Sequence, residues 1–106
     1  MKEQPNLNYI KELAGDDIDF ENRFIAIVKE EFPVEKDTYV GYIEQELPRA
    51  ASEIVHKLKH KFNILSMEGA YKFAVTYEER LREGNTEMDM DFRKILETIE
   101  TYLKTI

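Results

Sequence analysis

The sequence predicts an all-α domain: an up-down-up-down antiparallel bundle of four long helices with a short extra helix at the N-terminus. Three observations carry this expectation. Apolar residues recur at steps of three and four along the chain, and no stretch sustains a period-two alternation. The long helical patterns are joined by only a few residues, which makes neighbouring helices antiparallel. A chain of 106 residues fills one small core, so positions 1–106 form a single domain.

The first helix is expected over Leu7 to Ala14, with Leu7, Ile10 and Leu13 facing inward. Gly15 suits the position after its end, where a left-handed backbone is cheap for glycine. Asp16 or Asp17 then caps a second helix, in which Phe20, Phe24, Ile27 and Val28 share one side. Pro33 removes a backbone donor and is expected to kink or restart that helix. The pattern continues through Tyr39, Val40 and Ile43 to about Glu46. Gly41 is a weak point within it, costing about 1 kcal/mol relative to alanine. Pro48 fits the first turn of a third helix, where Ala51, Val55, Leu58, Phe62 and Leu65 recur at alternating steps of four and three. Ser66 is the expected N-cap of a fourth helix with the stripe Ala70, Phe73, Ala74, Tyr77 and Leu81, and Gly84 ends it. Asn85 or Thr86 is expected to cap the last helix, carrying Met88, Phe92, Ile95, Ile99, Leu103 and Ile106. The aromatic residues on these stripes are read as core, not as a cofactor box.

Composition narrows the function classes. The chain is 42% hydrophobic and 35% charged, the balance of a folded protein rather than a disordered one. It has no cysteine, which excludes disulfides and thiolate metal sites. No apolar run approaches the roughly 18 residues that cross a bilayer, and the N-terminal stretch lacks the apolar centre of a signal peptide. A cytoplasmic protein is expected, with no membrane partner. A net charge of -7 argues against nucleic-acid binding, which needs a broad cationic face.

The charge is uneven. Between Leu47 and Met67, Arg49, Lys57, Lys59 and Lys61 stand against Glu53 alone, so that segment is +3 and the rest of the chain is -10. The stretch HKLKHK holds both histidines, His56 and His60. At roughly 100° per residue, Ala51, Ile54, Val55, Leu58, Phe62 and Leu65 fill one arc of the third helix. His56 lies near the centre of the opposite face, among Arg49, Ser52, Lys59, His60 and Asn63. One helical turn between His56 and His60 is a spacing used in metal sites, but zinc wants three or four ligands. Three lysines disfavour a divalent cation there, and Glu53 is the only acid at hand in sequence, so no metal is assigned. An anion fits better. A neutral imidazole is a usable nucleophile near pH 7, neighbouring lysine charge opposes its protonation, and the same charge attracts a phosphoryl group.

These residues resemble the histidine-containing phosphotransfer (HPt) domain family. Its signature is an exposed helical histidine, then leucine at the second following position and lysine at the third. Here it reads VHKLKHKFNILSMEGA, with His56, Leu58 and Lys59 matching in type and spacing. The resemblance extends over nearly the whole chain and implies a four-helix bundle with the active histidine mid-way along one helix. It implies a phosphorelay intermediate that accepts a phosphoryl group from an aspartyl phosphate of one receiver domain and passes it to an aspartate of another. On that basis His56 is the phosphorylated nucleophile, through the ring nitrogen farther from the backbone, and Lys59 stabilises phosphoryl charge. His60, Lys57, Ser52 and Asn63 are auxiliary candidates. The partners implied are response-regulator receivers and a hybrid histidine kinase. The acid and the magnesium ion belong to the receiver, so no cofactor is expected on this chain, which is expected to be monomeric and not an enzyme. The sequence departs from the family at His60, where glycine is usual, at Lys61 and Phe62, where small residues are usual, and at Ser66, which replaces a later glycine. His60 fills room a docking receiver would use, and it could also hydrogen-bond the phosphoryl group.

Two other classes compete with this reading. An HPt-like docking module would bind a receiver or kinase without transferring phosphate, but it has no need of the histidine. An enzyme would need an ATP-binding signature, a glycine-rich phosphate loop or a nucleophile–base–acid set, and none is found. A kinase dimerisation domain would continue into a catalytic domain; Met1 is read as the start of a free-standing protein.

Overall fold

The computed structural model describes residues 3–106. Five helices follow one another: α1 Asn8–Ala14, α2 Ile18–Glu44, α3 Pro48–Ile64, α4 Glu68–Arg82 and α5 Asp89–Leu103. No strand occurs among the described residues. α3 lies between α2 and α4 and packs on both; α5 closes against α2 and α4, and α1 packs on α2.

α3 buries the arc expected of it: Ala51, Ile54, Val55, Leu58, Phe62 and Leu65 are all withdrawn from water. Phe92 of α5 is the hub of the core. Its ring centroid lies 4.9 Å from Tyr39 of α2, 5.1 Å from Tyr77 of α4 and 5.7 Å from Phe62 of α3. Such tilted aromatic pairs stabilise by roughly 0.5–1.5 kcal/mol each beyond the area they bury. The two buried phenols need partners. Tyr39 donates its O–H to Asp89, so Tyr77 donates to the Tyr39 oxygen, at 2.6 Å. Arg93 holds Asp89 from the far side, at 3.0 Å to both carboxylate oxygens. Burial, then the bond to Asp89, pushes the Tyr39 phenol far above its ordinary value, while burial pushes Tyr77 up to about 12, so both remain protonated donors at neutral pH.

Several local expectations are corrected. α2 does not restart at Pro33, which lies inside one continuous helix. Pro33 is exposed, and so is Lys29, whose carbonyl loses its donor there. α2 ends at Glu44, close to the expected Glu46. Leu13 and Ile27 are exposed instead of inward. The buried stripe of α2 is Val28, Phe32 and Tyr39, and Ile27 falls one residue off it.

The capping residues also differ. Asp17 does cap α2, accepting from the Phe20 amide at 3.0 Å. Neither Asn85 nor Thr86 caps α5, whose N-cap position is Met88; Asn85 instead accepts from the amide of Glu87. Ser66 does not cap α4. α2, α3 and α4 end in one common motif, in which the amides of Leu47, Met67 and Asn85 reach back to the carbonyls of Tyr42, Phe62 and Arg80. That motif needs one left-handed residue, and Glu46 (φ 59°), Ser66 (φ 64°) and Gly84 (φ 84°) supply it. Ser66 is therefore the end of α3. The α4 amides it was expected to serve are taken by Glu3, whose carboxylate accepts from Gly69 and Ala70, both at 2.9 Å.

The position of Ser66 generates a test. A side chain at a left-handed φ costs about 1 kcal/mol, which glycine avoids. Ser66→Gly is expected to raise unfolding stability by about that amount in denaturant titration, and an unchanged or lower midpoint would contradict the assigned turn.

Candidate functional site

The helical screw of α3 places His56 on a crest, with α4 on one flank and α2 on the other. The ring is half exposed: its side chain keeps 52% of its accessible surface. Beneath it lies Glu78 of α4, with only 4% of its side chain exposed. The Nδ1 atom of His56 is 2.8 Å from Glu78 Oε1. Lys59 Nζ donates to Glu78 Oε2 at 2.7 Å, and Arg82 Nη2 donates to Oε1 at 2.9 Å. A carboxylate accepts hydrogen bonds and does not donate them, so His56 must carry a proton on Nδ1. The neutral ring then has its lone pair on Nε2, the nitrogen farther from the backbone.

The charge of Glu78 follows from its neighbours. Burial alone would push its carboxyl up, but the hydrogen bonds from Lys59 and then His56 outweigh burial and hold it below its ordinary value. The site is thus a buried anion under an exposed imidazole, flanked by two cations. Lys59 is 12% exposed, and its ammonium also lies 6.0 Å from the centroid of the Tyr71 ring.

The island of three lysines divides by direction. Lys59 turns to α4. Lys57 lines the groove between α3 and α2. Lys61 is buried and pairs with Glu31 at 3.0 Å and Glu35 at 2.9 Å, both on α2. Burial would lower the Lys61 ammonium, but Glu35 and Glu31 hold it above its ordinary value, so it ties α2 to α3. Among the auxiliary candidates, His60 is exposed and its ring meets that of His56 edge-on, with centroids 5.0 Å apart. Asn63 is exposed on the same face. Ser52 departs from the polar-face expectation: it is buried, and its hydroxyl donates to the Arg49 carbonyl at 2.6 Å. It sits only about 40° from His56 around the helix, on the flank towards α4, and a short side chain there is easily covered.

Sequence reasoning surrounded His56 with cations and missed Glu78 and Arg82. The signal was present in α4. Glu78 stands four residues after Ala74 and three before Leu81, on the buried stripe itself. A charged residue at a core position is rarely left unpaired, and its partners are the features to seek. No group of three or more potential metal ligands occurs among the described residues.

The lowered Glu78 value fixes the sign of a pH effect. A carboxyl whose folded value lies below its unfolded one contributes stability above the unfolded value, and that contribution is lost as pH falls through the folded value. Between pH 5 and pH 3, bracketing the ordinary carboxylate value of about 4.3, wild type is expected to lose more unfolding free energy than Glu78→Gln. Parallel curves for the two proteins would contradict the charged assignment.

Comparison with family models, with curated proteins and with solved structures returned no match for this chain.

Proposed function

We propose that the chain is a phosphocarrier of the HPt type, working between the receiver domains of a two-component phosphorelay. One observation carries this reading. A half-exposed histidine on a long helix has its Nδ1 committed to a buried carboxylate, which leaves Nε2 as an outward nucleophile. The spacing of His56, Leu58 and Lys59 supports the same family. So do the short turns joining α2 to α5, which suit an up-down-up-down bundle with α1 as the extra helix.

The step balances without a cofactor on this chain. Nε2 of neutral His56 attacks the phosphorus of an aspartyl phosphate on the donor receiver. The N–P bond forms, the P–O bond to aspartate breaks, and the aspartate leaves as a carboxylate. The phosphorylated ring keeps its Nδ1 proton and gains positive charge, which the Glu78 carboxylate stabilises directly. Lys59, one turn along the same helix, supplies positive charge near the phosphoryl oxygens. Transfer onward reverses these bonds at a second receiver. Such chemistry asks mainly for positioning and charge, and a crest is open to a protein partner where a deep pocket is not. Magnesium belongs to the receiver in this scheme. A monomer in the cytoplasm is the form and place that go with it.

Phosphoryl transfer from a phosphorylated receiver, followed by intact mass, tests the reading. The wild-type chain is expected to gain one acid-labile phosphate. His56→Gln is expected to gain none while keeping its helical spectrum, because the position is half exposed and a glutamine amide can still donate to Glu78. Lys59→Ala is expected to slow transfer by roughly tenfold or more, the scale on which one positioned charge acts in a transition state. Labelling of the His56→Gln protein would refute the assignment.

A further inference from the structure

The flank of the crest opposite Glu78 is a groove between α2 and α3 of about 630 Å³. Its floor and rim combine two features. Ile27 and Val34 of α2 stand 52% and 64% exposed there, beside Ile54 of α3. Around them lie Glu30, Glu35 and Glu53. Glu31 also lines the groove, and Lys57 is the only basic residue that does so among the described residues. Lys61 neutralises part of this charge from below, yet Glu35 Oε1 remains buried without a hydrogen-bond donor among the described residues. None of the exposed large apolar side chains lies on α4, the other flank of the crest.

We propose that this groove is the docking surface for the protein partner that exchanges phosphate with His56, and that it selects a receiver domain whose docking helix carries lysine or arginine beside a short apolar stripe. The inference rests on the phosphocarrier reading and adds the chemistry of its partner. Glu53 is only about 60° from His56 around α3, so a partner seated in the groove reaches Nε2. A stable protein contact covers roughly 800 Å² on each side, too much for the crest alone. The extra contact must spread over one flank; the α2 flank offers two exposed apolar side chains along one helix, where the groove beside Arg82 offers Leu47 alone. The crest attracts the phosphorylated, anionic centre of the partner through Lys59 and Arg82. The groove attracts a cationic flank. Opposite signs on adjacent surfaces fix the orientation of docking and disfavour partners with the reverse arrangement.

The test uses the full chain and a panel of purified receiver domains charged with acetyl phosphate, alongside phosphoramidate as a small donor that needs no docking. Glu30 and Glu53 are exposed and make no ion pair among the described residues, so Glu30→Lys with Glu53→Lys leaves the fold in place. That double variant is expected to lower the second-order rate of receiver transfer by about tenfold or more at low salt, the lower end of electrostatic steering. Ile27→Ser with Val34→Ser is expected to lower it at high salt as well. Phosphoramidate labelling is expected at the wild-type rate in every variant. Glu97→Lys, the same kind of charge change on α5, is expected to transfer normally. Wild-type rates from receivers to both groove variants would overturn the docking surface and leave the phosphocarrier standing. Failure of the wild-type chain to accept phosphate from any receiver would overturn the phosphocarrier, and the docking surface with it.

Discussion

The arrangement of this protein depends on one buried carboxylate. An isolated carboxylate out of water is worth several kcal/mol of destabilisation, so Glu78 is tolerable only with donors in place. It has three, from His56, Lys59 and Arg82, and they come from two helices. The pairing therefore does two things at once. It joins α3 to α4 across their seam, and it orients the imidazole above it. A histidine held this way cannot turn its ring over without leaving a buried anion short of a hydrogen bond. That constraint selects which nitrogen faces away from α4, and in the proposed phosphocarrier it would set the direction of attack.

The rest of the core keeps Glu78 where it is. Its neighbour Tyr77 is locked between the Phe92 ring and the Tyr39 hydroxyl, and that hydroxyl is in turn locked to Asp89 at the start of α5. α4 cannot rotate without breaking these contacts, so the height and angle of the carboxylate under His56 are set by packing on the far side of the same helix. On the other flank, the Lys61 pairs to Glu31 and Glu35 hold α3 against α2. The crest is thus braced from both sides, while the imidazole keeps 52% of its side-chain surface exposed. The two flanks also differ in character: one is a closed ionic seam, the other an open groove with apolar and acidic walls.

Much of this was legible in the sequence. The helical period of α3 placed Leu58 and Phe62 inside and His56 outside, because an amphipathic helix of four to five turns leaves little freedom of register. The glycine at position 84 marked a helix end, since a left-handed turn is cheapest there. Ser66 misled because serine is a favoured cap, whereas the turn needed a left-handed residue and tolerated a side chain. The cap came from Glu3, more than sixty residues away, and no local rule finds such a partner. Lys61 was grouped with its neighbours in sequence, yet the helix screw turns it towards α2. Glu78 is the instructive omission. A lone acid on an apolar stripe signals that partners exist, but only the three-dimensional meeting of α3 and α4 reveals which they are.

The most direct measurement is the protonation pattern of the His56 ring, read by nitrogen-15 NMR of labelled protein at a pH where the ring is neutral. Wild type is expected to carry a proton on Nδ1 and a bare Nε2, with Glu78→Ala shifting the ring towards the Nε2–H form that free imidazole side chains favour. A wild-type ring already protonated on Nε2, or one unaffected by Glu78→Ala, would contradict the claim that the buried carboxylate sets the nucleophile.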